Sequence, residues 1–119
     1  MKQKTIQNSI TLIGKGLHSG VEAKLTLKPS EENTGIMFIR KDVNPEKMIK
    51  GIYYHVENTV LTTAIIKDGV EIKTIEHLYS ALAGLAIDNI IIEIEGPEIP
   101  IMDGSANPFI FAFKSAGLK

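Results

Sequence analysis

The dipeptide Glu76-His77 places a carboxylate beside an imidazole, and such a pair could take part in hydrolysis at a metal ion. A carboxylate can accept a proton from water, and a neutral imidazole nitrogen is a common zinc ligand. No histidine follows four residues later, so the pair is not the HExxH zinc signature, and a catalytic zinc needs about three protein ligands. Taken alone, the pair therefore fits an ordinary helix start, with Glu76 compensating the helix dipole and His77 exposed.

Two other histidines could take part in chemistry. His18 lies in the loop 14–20, whose three glycines could let the backbone approach a ligand. The loop does not have the glycine spacing of a phosphate-binding motif, so a hairpin connection is the simpler interpretation. His55 ends a strand-like segment and is interpreted as partly exposed structure rather than as a ligand.

Two acidic residues in segment 97–104 could coordinate or orient a bound group. They are Glu98 and Asp103, in a stretch that is rich in proline and glycine. The Asp-Gly-Ser sequence that begins at Asp103 is explained more simply as turn chemistry before the last helix.

Helical patterns predict the elements that position these residues. Thr74 is a suitable N-cap for a first helix, and its apolar stripe follows at spacings of three and four: Ile75, Leu78, Leu82 and Leu85. Because Ile75 and Leu78 set the core direction, the Glu76-His77 side should face solvent or a cleft. Asn107-Pro108 has the N-cap and N1 signature of a second helix, which Gly117 ends. Its predicted buried side is Phe109, Ile110, Phe113 and Ala116.

Strand patterns account for most of the remaining chain. Val21 to Leu27 alternates between apolar and polar residues, as expected for a half-buried strand. Further strands are predicted at 5–13, 36–39, 52–56, 62–66, 70–72 and 89–94, and Lys67-Asp68-Gly69 predicts a tight hairpin turn. The order of elements predicts the α+β class: a single two-layer domain whose mixed, mostly antiparallel sheet carries both helices on one face.

Composition limits the classes of function. The 119 residues suit one domain, and 44% apolar with 23% charged residues is typical of a globular protein. A net charge of -1 gives no reason to expect nucleic acid as a partner. Without cysteine, any metal must be held by histidine and carboxylate. No apolar run approaches the roughly 20 residues of a membrane span, so we expect a cytoplasmic domain.

Five motifs stand in an order that resembles a known family. They are GKGLHSG at 14–20, TIEHL at 74–78, SALAGL at 80–85, DN at 88–89 and GPEIPIMDGSA at 96–106. Together they closely resemble the N-terminal half of the zinc-dependent UDP-3-O-acyl-N-acetylglucosamine deacetylases, which perform the committed step of lipid A synthesis in Gram-negative bacteria. The resemblance extends over residues 5–117, which is nearly the whole chain.

The resemblance implies a role for several residues. Glu76 would be the general base on zinc-bound water, and His77 would be one of three protein ligands to the zinc. Leu61 and Thr62 resemble the stretch that lines the cleft for the substrate, UDP-3-O-acyl-N-acetylglucosamine. His18 lies in a loop like that of the family, and Asp103 matches an acidic position with a supporting role.

The resemblance also implies that part of the site lies outside this sequence. The family has two similar α+β domains with the active site between them, and residues 1–119 correspond to the first. The other ligands, a histidine and an aspartate of an HxxxD motif, belong to the second domain and are absent here. We therefore expect a chain that is inactive alone and binds zinc weakly, and whose uncovered core could favour self-association. The alternative is a non-catalytic binding or scaffold domain, against which the retention of Glu76 and His77 argues.

Overall fold

A computed structural model of the chain describes residues 3–17, 19–51, 56–58, 63–67, 70–102 and 104–119. The described residues form eight strands and two helices. In chain order they are β1 (Ile10–Lys15), β2 (Glu22–Lys28), β3 (Ile36–Arg40), β4 (Ile49–Lys50), β5 (Val56–Asn58), β6 (Thr63–Lys67), β7 (Val70–Lys73), α1 (Glu76–Gly84), β8 (Ile90–Glu95) and α2 (Asn107–Ala116).

The larger sheet has five strands in the order β1-β2-β8-β3-β4. All neighbouring pairs are antiparallel except β3 and β8, which run parallel with Phe38 opposite Ile92. This arrangement confirms the prediction of a mixed, mostly antiparallel sheet in an α+β domain.

One face of this sheet forms the core together with both helices. In β2 and β8, alternate side chains are buried because they all point towards the same face of the sheet. They form one apolar cluster with side chains of α1 and α2, and its largest members include Leu25, Phe38, Ile92, Leu78, Phe109 and Phe113. The prediction that both helices pack on one face is therefore confirmed.

The structure also has a second sheet, of three antiparallel strands in the order β5-β6-β7, whereas the sequence analysis predicted one sheet. Lys67 pairs with Val70, which confirms the predicted hairpin; its turn residues, 68 and 69, lie outside the described part of the chain. Ile65 and Ile72 bring this small sheet into the same apolar core. Strand β7 leads directly into α1, so the small sheet positions the start of that helix.

Some predicted boundaries differ from those of the structure. The strand predicted at 5–13 is observed at Ile10–Lys15, because β1 pairs with β2 as far as the Lys15–Glu22 pair and Gly14 does not interrupt it. The strand predicted at 52–56 lies mostly outside the described residues, and β5 begins at Val56.

The helices are short. Helix α1 has nine residues and α2 has ten, and nowhere in the described chain is a helix both long and apolar enough to cross a membrane. Helix α2 has Ala106 rather than Asn107 as its N-cap, whereas Gly117 is the C-cap, as predicted, with a positive φ of 85°.

Candidate functional site

Helix α1 begins at Glu76, so Glu76 and His77 are its first two residues. Both are half-buried. Ile75 and Leu78, on either side, are fully buried and attach this turn to the core. The pair thus lies beside the apolar stripe and remains partly accessible, as the helical spacing predicts.

Thr74 does not cap the helix, contrary to the sequence prediction. The N-cap is Ile75, and no side-chain hydrogen bond caps the helix. Thr74 has a φ of 60°, in the left-handed region that β-branched residues rarely adopt. Its hydroxyl instead donates a hydrogen bond to the carboxylate of Glu98. Ile75 occupies the N-cap position, so Thr74 lies one residue before the cap, with its side chain directed towards Glu98.

Glu98 is completely buried and lies at the junction of three segments. One carboxylate oxygen accepts the bond from Thr74, and the other accepts the backbone N–H of Ser19 at 2.8 Å. Burying a carboxylate away from water costs free energy unless hydrogen-bond donors of the protein replace the lost water. Hydrogen bonds to an ionised group are stronger than those between neutral groups. The Glu98 carboxylate therefore connects the turn before α1 to the loop that contains Gly16 and Ser19, which we call the glycine loop.

Backbone hydrogen bonds hold Glu98 beside β7. Lys73 donates its N–H to the Pro97 carbonyl at 2.9 Å, and its own carbonyl accepts the N–H of Ile99 at 3.0 Å. These two bonds form an isolated parallel bridge between Lys73 and Glu98. The sequence of this segment, with two prolines, predicts no regular strand, and the structure shows a single bridge.

The glycine loop packs against the same segment. A Cβ atom at Gly16 would lie 2.6 Å from Ser19 Oγ and 2.8 Å from Glu98 Cδ, so a larger residue does not fit without a shift. The Ile101 N–H donates to the Lys15 carbonyl at 2.9 Å. Gly16 is thus required by close approach to the carboxylate, not by an unusual φ.

Backbone strain occurs next to the candidate residues. Among the described residues, four non-glycines have a positive φ, and two of them are Thr74 and Met102, at 60° and 55°. Thr74 lies two residues before Glu76, and Met102 directly precedes Asp103 in the sequence. Strained backbone often occurs at functional sites, where the surrounding structure holds it in place.

Four of the other predicted site residues lie outside the described part of the chain: His18, Leu61, Thr62 and Asp103. His55 also lies outside it. The roles that the resemblance implies for them remain predictions. The described structure adds Thr74 and Glu98, which the sequence analysis treated as a helix cap and as one of two acids in a turn-rich segment.

The described residues contain no cluster of three or more His, Cys, Asp or Glu side chains able to hold a metal ion. His77 is half-buried, so part of its imidazole remains accessible and could supply one nitrogen ligand to a metal ion. One such donor is fewer than the roughly three protein ligands that a catalytic zinc needs.

Tyr79 lies one turn into α1, where its side chain packs into the interior of the domain. Its ring stacks on Phe38 with centroids 6.1 Å apart. Its hydroxyl is buried and has no hydrogen-bond partner among the described residues, and burial raises the pKa of Tyr79 above its ordinary value. Two surface cavities, of about 640 and 560 Å³, lie elsewhere, and neither is lined by a residue of α1.

Comparison with known proteins gives consistent matches. Residues 3–119 match the family model described as "LpxC: UDP-3-O-acyl N-acetylglycosamine deacetylase". The chain is 52% identical over 120 residues to the UDP-3-O-acyl-N-acetylglucosamine deacetylase of Haemophilus influenzae, and 49% identical over 118 residues to that of Chromohalobacter salexigens. These alignments cover 100% and 99% of this chain but 39% of each relative. The chain therefore spans well under half the length of the relatives that it matches.

Proposed function

Because this chain belongs to the UDP-3-O-acyl N-acetylglycosamine deacetylase family, we propose that it is the first domain of such an enzyme and supplies Glu76 and His77 to its active site. The observation that carries this proposal is the position of the pair. Both residues lie in the first turn of α1, half-buried and beside the apolar stripe. Both side chains thus belong to one helical turn and are partly accessible to solvent.

The proposed reaction is hydrolysis of the N-acetyl group of UDP-3-O-acyl-N-acetylglucosamine. A water oxygen attacks the acetyl carbonyl, the bond to the sugar nitrogen breaks, and acetate leaves. Glu76 takes one proton from the attacking water, and the sugar nitrogen gains a proton as its bond to the acetyl carbon breaks, so that the sugar is left as an amine. Zinc, when bound, lowers the pKa of water and polarises the carbonyl, and His77 would be one of its ligands.

We further propose that Leu61 and Thr62 contact the substrate, and that His18 and Asp103 have supporting roles. These assignments rest on the family motifs alone. Among described residues, His77 is not accompanied by two further potential ligands. We therefore propose that this chain does not deacetylate alone and that the other zinc ligands come from a second domain.

The test is reconstitution. The chain is joined to the part of the H. influenzae relative that it does not cover, giving what we call the joined protein, and acetate release is measured with zinc. We expect activity in the joined protein and none in the 119-residue chain. Glu76→Gln removes the proton acceptor but keeps the size of the side chain, so it should lower kcat by about 10²–10⁴-fold. The matched control is Glu46→Gln, at an exposed position, which should leave kcat unchanged.

Full activity in Glu76→Gln would show that Glu76 is not the base. If the joined protein takes up zinc and binds the substrate but releases no acetate, the alternative of a non-catalytic binding domain is favoured. If it folds but neither binds nor hydrolyses the substrate, the proposed function is wrong for this chain.

A further inference from the structure

We propose that Glu98 is a positioning residue that holds the glycine loop and the start of helix α1 in one fixed arrangement, so that Glu76 and His77 are correctly placed. The inference rests on the proposed function for its consequence in catalysis. Its structural part concerns only described residues and can be tested without any activity.

The first step concerns the connection between Glu98 and helix α1. The Thr74 hydroxyl donates to the Glu98 carboxylate, and Thr74 precedes Glu76 by two residues. Thr74 has a φ of 60°, which a β-branched residue adopts only when its surroundings require it. The hydrogen bond to Glu98 is one contact that holds this conformation. The direction in which the chain enters α1 is therefore coupled to the Glu98 carboxylate.

The second step concerns the glycine loop. Glu98 accepts the Ser19 N–H at 2.8 Å, and the backbone of Gly16 lies so close that a Cβ atom would meet the carboxylate carbon at 2.8 Å. Gly16 and Ser19 therefore both pack directly against the carboxylate. Because the two oxygens bind different segments, one side chain fixes both segments relative to each other.

The third step concerns what such coupling would do. Glu98 is completely buried, so its role is to hold other groups and not to contact a substrate. A displacement of about 1 Å at a reacting group can cost about 10²-fold in rate. Loss of the Glu98 contacts should therefore lower kcat more than it changes KM.

Geometry, rather than charge, should decide the effect of substitution. In Glu98→Gln the amide oxygen can still accept the Ser19 N–H, and the NH₂ group can donate to the Thr74 hydroxyl. Glu98→Leu has a similar volume but makes neither hydrogen bond. At the other partner, Thr74→Ser keeps the hydroxyl, whereas Thr74→Val keeps the branched shape without it.

The first experiment uses the 119-residue chain and backbone amide NMR. In Glu98→Leu, the Ser19 amide should exchange with solvent at least about tenfold faster, and the Glu76 and His77 amide shifts should change. Thr74→Val should change the shifts of the same two amides, whereas in Thr74→Ser and in Glu98→Gln these shifts should stay close to those of the wild type. Thr11→Val, on an exposed edge strand, is the control. If the Glu76 and His77 amides in Glu98→Leu and Thr74→Val move no more than in this control, the coupling is absent.

The second experiment measures acetate release by the joined protein. Glu98→Leu should lower kcat about 10–100-fold and change KM by less than about threefold, and Glu98→Gln should recover most of kcat. If Glu98→Gln is as slow as Glu98→Leu while its Ser19 amide stays protected, charge and not position matters, and the proposal is wrong. If Glu98→Leu fails to fold, Thr74→Val is compared with Thr74→Ser by the same kcat and amide measurements, and the coupling predicts that only Thr74→Val differs from the wild type. An unsubstituted joined protein without activity would contradict the proposed function, whereas the amide results would still decide the coupling.

Discussion

The hydroxyl of Thr74 donates to the buried carboxylate of Glu98, 24 residues further along the chain, instead of capping the helix that follows Thr74. This bond joins two motifs that are separate in the sequence, TIEHL and GPEIPIMDGSA. The bond from Ser19 to the same carboxylate adds the glycine loop. Residues that are far apart in the chain therefore form one polar cluster, and its member Thr74 lies two residues before Glu76.

Gly16→Ala should destabilise the chain by about 1–3 kcal/mol, because the new methyl group would overlap the Glu98 carboxylate and Ser19 Oγ. The matched control is Gly84→Ala at the end of α1, where a Cβ atom meets nothing within 4 Å. Alanine is the better helix former there, so we expect a gain of up to about 1 kcal/mol. Urea unfolding of both variants checks the prediction. Equal effects at the two glycines would contradict the close approach at Gly16.

Tyr79→Phe should leave the stability at neutral pH unchanged or raise it by up to about 1 kcal/mol. The Tyr79 hydroxyl is buried and no described residue hydrogen-bonds to it, so its removal should relieve a desolvation cost without breaking a hydrogen bond. The ring contact with Phe38 remains. The free energy of unfolding, measured in urea at pH 7, checks this, and a loss above about 1 kcal/mol would show that the hydroxyl has a partner in solution.

The same residue predicts a dependence on alkaline pH. Burial raises the folded-state pKa of Tyr79 above the unfolded value of about 10. Above pH 10 the unfolded state loses this proton first, so the contribution of Tyr79 to stability is complete below pH 10 and is lost as the pH rises further. Between pH 9 and 11, the stability of the wild type should therefore decline more steeply than that of Tyr79→Phe. Parallel declines would contradict the raised pKa.

Two phenylalanines of α2 should differ sharply in their contribution to stability. Phe113 is 0% exposed and Phe111 is 75% exposed. Phe113→Ala should cost about 3–5 kcal/mol because it leaves a cavity in the core, whereas Phe111→Ala should stay within about 0.5 kcal/mol. Thermal unfolding of the two variants compares them directly. A large loss for Phe111→Ala would mean that this side chain is covered in solution.

Zinc binding should need more than this chain. We expect the 119-residue chain to bind zinc weakly and the joined protein to bind about one zinc per molecule. In the joined protein, His77→Gln should weaken zinc binding by more than about tenfold, whereas His55→Gln should not change it. Metal analysis after dialysis measures both. Tight binding by the 119-residue chain would contradict the expected division of ligands, unless a mass measurement shows that two chains pair.

The sequence alone predicted the α+β class, the face of each helix that is buried and the position of Glu76 and His77 beside the apolar stripe. These are local properties, since the spacing of apolar residues along a helix or strand fixes which side chains share a face. The family motifs likewise depend only on the order of residues in the chain.

The tertiary structure decided the role of Thr74, the division into two sheets and the contacts of Glu98. Thr74 has the chemistry of a helix cap, but its hydroxyl donates to Glu98, which reaches it from a distant segment. Likewise, Gly16 is required by the approach of that carboxylate rather than by its own backbone conformation. Long-range contacts of this kind depend on the relative position of whole elements, which the local pattern of the sequence does not determine.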